Sequence, residues 1–268
     1  MPGVVRKVKP CNRLRAAIEA AIFGAVLGQR LLVVSDAHLG RGTSETEEAF
    51  LAFLAAAPSL GDCLLINGDL FEFWFTYERV VPRTGFRVAA CLAELRRRIP
   101  VVMTGGNHDR WGGTFWQKEL GIEFSPTEVR LGIGRRVVLA LHGDGITETR
   151  PTARWLHSLT RHPLAIAGFR ALHPDVGHWL VDHLSTSLGN SEPDPAAQAA
   201  AARQQQRWAE ARLESDSSIG AIVLGHTHKA MLSEPLPGRH YLNPGAWFDG
   251  YRYAVLSDER TELTQFTG

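Results

Sequence analysis

Five short stretches of this sequence carry side chains that could hold metal ions: Asp36-Ala37-His38, Gly68-Asp69, Gly106-Asn107-His108-Asp109, His142-Gly143-Asp144 and Gly225-His226-Thr227-His228. Carboxylate and amide oxygens are hard donors and imidazole nitrogens are borderline ones, a mixture that suits two divalent transition metals. A carboxylate between two metals can bridge them, and Asp69 is the candidate. In Asp36-x-His38 and His226-x-His228 an extended backbone would turn alternate side chains the same way, so that both reach one centre. Gly68, Gly106, Gly143 and Gly225 allow tight turns and close backbone approach to the ions. Taken singly, each stretch has a plainer reading. Asp-x-His is commonly a turn residue beside a satisfied histidine, Gly-Asp a cap or turn, and Asn107-His108 ordinary turn chemistry. Five in order, each directly after an apolar run, make chance a poor explanation.

The apolar runs are the elements that must position these residues. They cover residues 31–34, 63–66, 101–103, 137–141 and 221–224, and each predicts a strand buried on both faces. Helix-like segments at 46–57 and 86–98 separate the first three. This alternation predicts an α/β fold. Ligands bind beyond the carboxyl ends of strands in such folds, so Asp36, His38, Asp69, Asn107, His142, His226 and His228 are expected on one rim. Residues 239–266 read as further strands and turns. Residues 146–216 contain no clear strand and predict two or three helices punctuated by Pro163 and Pro174. A turn is expected at 191–195 and a strong helix at 196–213. The block reads as a helical insertion over the site, with ordinary core helices as the alternative.

The chain has 268 residues and is 44% hydrophobic, enough for one large domain or a domain with an inserted part. Lys and Arg number 29 against 28 Asp and Glu, a net charge of +1 that argues against bulk nucleic-acid binding but not against a small anionic substrate. Cys11, Cys63 and Cys91 show no pairing pattern, which points to reduced thiols and a cytoplasmic setting. Residues 1–29 read as an N-terminal extension before a domain at 30–268. Its basic start and apolar run resemble a signal peptide, but Glu19 interrupts the run and the rest is too short to span a bilayer. An extra helix able to lie on a membrane surface is expected, with a start codon assigned too far upstream as the rival.

The five stretches together resemble the signature blocks of calcineurin-like metallophosphoesterases. The resemblance implies a four-layer sandwich of two mixed β-sheets flanked by helices. It implies Asp36, His38, Asp69 and His228 on one metal, and Asp69, Asn107, His142 and His226 on the other, with Mn²⁺ as the usual activating ion. Two metals about 4 Å apart bring a shared water near neutrality and clamp the attacking and leaving oxygens. His108 is then placed to protonate the leaving oxygen or stabilise phosphoryl charge. Glu72 stands where many members of the family place an acid that orients this histidine, with a solvated turn carboxylate as the alternative.

A narrower resemblance links Gly68-Asp69-Leu70-Phe71-Glu72-Phe73-Trp74, Asn107-His108-Asp109-Arg110-Trp111 and Leu172-His173-Pro174-Asp175-Val176-Gly177 to a divergent branch of the UDP-2,3-diacylglucosamine hydrolases of lipid A synthesis. It implies cleavage of a nucleotide-lipid pyrophosphate at the inner face of the cytoplasmic membrane. The best-known branch has Arg where this chain has His108, which leaves open a phosphodiesterase or pyrophosphatase for soluble nucleotides. A nuclease would want a basic groove that this charge balance does not offer. In the insertion, Trp155, Leu156, Leu159, Phe169, Leu172, Trp179, Leu180 and Leu184 could line an acyl cleft, while Arg154, Arg161, Arg170, His173 and His178 could meet the diphosphate. Asn190 and Ser191 resemble the polar end of the family's lid. Trp74 either stacks on uracil or plugs the core.

Overall fold

The computed structural model describes residues 26–41, 43–147, 162–189 and 194–268. Strand β2 (Arg30–Val34) is apolar on both faces and lies inside a six-stranded sheet. On one side it pairs in parallel with β3 (Cys63–Asn67), followed by β4 (Val101–Thr104) and β5 (Glu123–Ser125). On the other it pairs antiparallel with β11 (Arg252–Ser257), which pairs with β12 (Thr261–Gln265). A second six-stranded sheet has the order β1 (Val26–Gly28), β6 (Glu128–Ile133), β7 (Arg136–Leu141), β8 (Ala221–Val223), β10 (Arg239–Asn243) and β9 (Met231–Leu236).

Side-chain alternation along the strands builds the layers. Leu31 and Val33 join Val138, Ala140 and Val223 in the core shared by the two sheets. Leu32 and Val34 point the other way, into a core with helices α1 (Ser44–Leu60) and α2 (Phe86–Leu95), where Phe50, Phe53, Val88 and Leu92 are buried. Short helices α3 (Phe115–Lys118) and α4 (Asp144–Thr147) follow, then α5 (Pro163–Arg170), α6 (Pro174–Gly189) and the long α7 (Pro195–Ser215). Ala209 and Leu213 of α7 pack on Leu139, Ile222 and Tyr241 of the second sheet, closing the fourth layer. Helix α7 starts cleanly because Pro195 occupies its first turn and the Asp194 carboxylate accepts from the Ala196 N–H at 3.0 Å.

Two boundaries differ from expectation. Val26–Gly28 is no helical extension: it pairs in parallel with β6 and belongs to the domain. Helix α7 is no part of a lid, because its buried stripe of Ala202, Gln205, Ala209 and Leu213 is a wall of the main core. What remains of the expected insertion is α5 and α6. Phe169 of α5 contacts the rings of Phe73 and Phe75 at 5.9 and 4.7 Å, and His178 of α6 contacts Phe73 at 5.3 Å. The pair is thereby seated on the segment just after Glu72. Among the described residues no helix is long and apolar enough to cross a membrane. Residues 1–25 of the expected extension lie outside the described residues.

Candidate metal centre

The turns that follow β2, β3 and β8 are bent in an unusual way. Among the described residues six non-glycine positions have positive φ: Asp36, His38, Asp69, His226, His228 and Tyr251. All but Tyr251 are candidate ligands. Left-handed backbone is costly for residues with a Cβ and collects at functional sites. The alternation expected of an extended Asp-x-His is therefore not what aims these side chains. Asp36 and His38, at φ 51° and 45°, converge through two left-handed residues separated by Ala37. His226 and His228, at 68° and 57°, repeat the device.

Hydrogen bonds tie the turns to one another. The His226 N–H donates to both Asp36 carboxylate oxygens at 2.9 and 3.1 Å, and the His108 N–H donates to Asp69 Oδ1 at 2.9 Å. The buried Asp109 carboxylate accepts from the Gly106 and Leu70 N–H groups at 2.9 and 2.7 Å, stapling the third stretch to the second. At Gly106 a Cβ would fall on the Asp69 carboxylate, so only glycine fits.

The side chains gather into overlapping groups: Asp36 with His38 and His228, Asp69 with His142 and His226, and His38 with Asp69 and His108, the ligand atoms of each group lying within 4.8 Å of one another. His38 Nε2 lies 3.2 Å from His228 Nε2 and 3.8 Å from Asp69 Oδ2, while His142 Nε2 lies 3.0 Å from Asp69 Oδ2. Among the buried side-chain atoms of the described residues that lack a well-formed hydrogen bond, two lie at this centre: Asn107 Oδ1, and His142 Nε2, whose neighbour is the Asp69 carboxylate. Buried polar atoms are rarely left so. An amide oxygen without a partner and an imidazole nitrogen facing only a carboxylate are donors that fit a divalent cation. Two further histidine nitrogens are held: His142 Nδ1 donates to the Asn67 carbonyl at 3.0 Å and His38 Nδ1 pairs with Glu72 Oε2 at 2.8 Å. Such partners fix which nitrogen faces a metal.

Electrostatics agree with that reading. Burial opposes charge on His142, but Asp69 beside it and Asp36 and Asp144 nearby outweigh burial and raise its pKa to about 10. Burial, aided by the positive charge of His142, lowers His226 to about 4. Burial works against ionised Asp69 too, yet His142, His108 and His38 hold its carboxyl well below the usual range. A proton at His142 does for the two carboxylates what a metal would do.

Glu72 has a different task from the one expected. Its carboxylate meets His38, and Arg41 at 3.2 Å, rather than His108. His108 Nδ1 instead lies 2.7 Å from the Glu72 backbone carbonyl. A carbonyl can only accept, so Nδ1 carries the proton and Nε2 is left to face the centre.

The expected substrate residues are scattered. Trp74 is corrected to a core residue: it is 0% exposed, packed among Phe71, Phe115 and Trp116, with its N–H on Thr76 Oγ1. No face of it is open to a base. The His173 side chain, 69% exposed, accepts from the Asp175 N–H at the start of α6. The Arg170 guanidinium lies 5.8 Å from the centre of the Phe75 ring. Arg154, Arg161, Asn190 and Ser191 lie outside the described residues. Sequence reading missed the supports of the centre. Gln205 of α7 donates to the Gly225 carbonyl at 3.1 Å, Asn243 donates to the same oxygen at 3.0 Å, and Arg110 pairs with Asp144 at 2.5 Å. Gln205 and Asn243 lie in no motif that could reveal them, while Arg110 and Asp144 stand in stretches already singled out, with no spacing to show that they pair.

Comparison with known proteins adds the family. The chain is 29% identical over 219 residues to a UDP-2,3-diacylglucosamine hydrolase of Bordetella parapertussis, with 80% of each chain covered. It is 25% identical over 246 residues to the protein of that name from Shewanella pealeana, covering 88% of this chain and 98% of the relative. Among solved structures, the phosphoesterase Yfce from E. coli aligns with a TM-score of 0.41 at 16% identity, covering 89% of this chain and 100% of that one. The family description "calcineurin-like phosphoesterase" matches residues 29–230, which hold every candidate ligand and strands β2 to β8. With two mixed six-stranded sheets, candidate Asp and His ligands gathered in overlapping groups and the family matched over most of its length, the chain belongs to the calcineurin-like phosphoesterases.

Proposed function

We propose that this protein hydrolyses the pyrophosphate of UDP-2,3-diacylglucosamine, releasing UMP and 2,3-diacylglucosamine 1-phosphate, with two divalent ions, Mn²⁺ as the activating one. Asp36, His38, Asp69 and His228 would hold one ion, and Asp69, Asn107, His142 and His226 the other. Bound, the ions would supply an activated water and charge to neutralise the phosphoryl oxygens. The single observation that carries the reading is that Asp69 groups with His142 and His226 on one side and, with His108, with His38 on the other, His38 being also a member of the group with Asp36 and His228.

The rest falls to the chain. His108 is anchored through Nδ1, so Nε2 is the atom left to face the phosphoryl group, and only the imidazolium, protonated on both nitrogens, would give a proton from Nε2 to the leaving oxygen. Glu72 keeps the His38 ring in place. Leu164, Leu172, Val176 and Trp179, on and between α5 and α6, expose apolar surface that suits acyl chains and a membrane face. The relatives' shared name supports the same substrate. His108 in place of Arg favours a second reading, a soluble nucleotide diester cut at the same centre.

The test is UMP release from UDP-2,3-diacylglucosamine with Mn²⁺, beside an aryl phosphodiester and an Asn107→Ala variant. Release that falls by about 100-fold or more in the variant is expected. Turnover of the aryl diester alone would sink the lipid reading and leave the second one.

A further inference from the structure

The two flanks of the centre differ in chemistry. On the His108 side, the chain after Glu72 is aromatic: Phe73 meets Trp111, Phe169 and His178 with ring centres at 5.9, 5.9 and 5.3 Å. On the His228 side lies an open cavity of about 720 Å³, lined by His228, Lys229, Gln198, Arg252, Thr264 and Gln265 among others. Its walls carry two amides, a hydroxyl, two cations and the Asp249 carboxylate, a set of donors and acceptors suited to a hydrophilic group. The Arg252 guanidinium is already paired with Asp249 at 2.6 Å. Lys229 is exposed and makes no ion pair with another described residue, so its ammonium is available to an anion. Gln198 donates to the Thr227 carbonyl at 2.9 Å, which holds one wall of the cavity to the His226-x-His228 turn. Phe248, 46% exposed, packs beside the centre, its ring 5.3 Å from that of His228 and 5.8 Å from that of His38.

We infer that this cavity is the subsite for the nucleotide half of the substrate. Resting on the function proposed above, this orients an amphiphilic pyrophosphate across the centre, with the nucleoside monophosphate beyond His228 and the lipid half on the aromatic flank beside His108. The cavity lies within the roughly 300–1,000 Å³ typical of small-molecule sites, and one of its walls is a candidate ligand, so a group bound there stays joined to a phosphate at the centre.

The full-length, Mn²⁺-loaded protein is titrated with UMP and separately with inorganic phosphate, in the wild type, Lys229→Ala and Gln265→Ala, with folding checked by circular dichroism. UMP is expected to bind at least about tenfold tighter than phosphate. Each variant is expected to weaken UMP by about fivefold or more and phosphate by less than about twofold. UMP affinity that is unchanged in both folded variants, or no better than that of phosphate, overturns the inference. Hydrolysis of UDP-2,3-diacylglucosamine is followed in parallel. No hydrolysis alongside variant-sensitive UMP binding sinks the lipid substrate and keeps the subsite. Hydrolysis alongside variant-insensitive UMP binding does the reverse.

Discussion

Glu72 serves two histidines with two different groups: its carboxylate takes His38 Nδ1 and its carbonyl takes His108 Nδ1. The two roles separate by mutation. Glu72→Gln weakens the bond to His38 and leaves the carbonyl in place, so Mn²⁺ affinity is expected to fall by about 10- to 100-fold, read by metal titration. His108→Ala removes no metal ligand of the proposed set. It is expected to lower kcat by about 100-fold or more while metal content per chain stays constant. A Glu72→Gln variant with normal metal affinity and a kcat loss like that of His108→Ala would return the carboxylate to the service of His108. His142 gives a pH prediction. Without a metal its pKa is raised to about 10, because Asp69, Asp36 and Asp144 outweigh burial, so it keeps a proton at pH 8. A metal needs the neutral ring, so loading must expel that proton. Calorimetric titration of Mn²⁺ at pH 8 in buffers of different ionisation enthalpy is expected to show proton release, and affinity should rise with pH toward 10.

At the scale of elements, strands deliver the ligands but the turns after them do the aiming. Left-handed backbone at Asp36, His38, Asp69, His226 and His228 is held in place by bonds from outside the turns. Gln205 is one such brace: from α7 it donates to the Gly225 carbonyl at 3.1 Å and to the Gly143 carbonyl at 3.4 Å, and its own oxygen accepts from Thr227 Oγ1. Gln205→Leu removes the donors and leaves buried carbonyls short of a partner, at a cost of about 1–3 kcal/mol in chemical denaturation. Because those carbonyls belong to the turns beside His142 and His226, a weaker metal affinity should accompany the lost stability. Loss of stability alone would make Gln205 an ordinary core amide.

At the scale of the whole molecule, the centre joins the two sheets. His38 and Asp69 follow strands of one sheet, while His142, His226 and His228 follow strands of the other. A metal held by both sets links the sheets at their rim, and a ligand that binds only the folded state stabilises it. Chelation is therefore expected to lower Tm by several degrees, and Mn²⁺ to restore it in proportion to the logarithm of its concentration. An unchanged Tm would mean that the two sets do not share an ion. Membership of the calcineurin-like phosphoesterases makes the protein a metal-dependent hydrolase, and the candidate centre lies at one edge of the sandwich, with a polar cavity on one flank and aromatic rings on the other.

By itself the sequence determined the inner strands that precede the site, and the types and order along the chain of the candidate ligands. Apolar runs such as 63–66 cannot be exposed, and a ligand set spread over five strand ends has few other uses. It determined less about how those ligands are aimed. The left-handed turns at Asp36 and His226 depend on hydrogen bonds between stretches 190 residues apart, which no local pattern records. Burial decided the rest. Trp74 reads the same in sequence whether it stacks on a base or fills a core, and only the packing of Phe71, Phe115 and Trp116 around it settles the matter. Helix α7 likewise has a composition that suits a surface helix, yet Ala202, Gln205, Ala209 and Leu213 line up against a sheet built from distant strands. Propensity is local, whereas burial belongs to the assembled chain, and the division between what was legible and what was not follows that line.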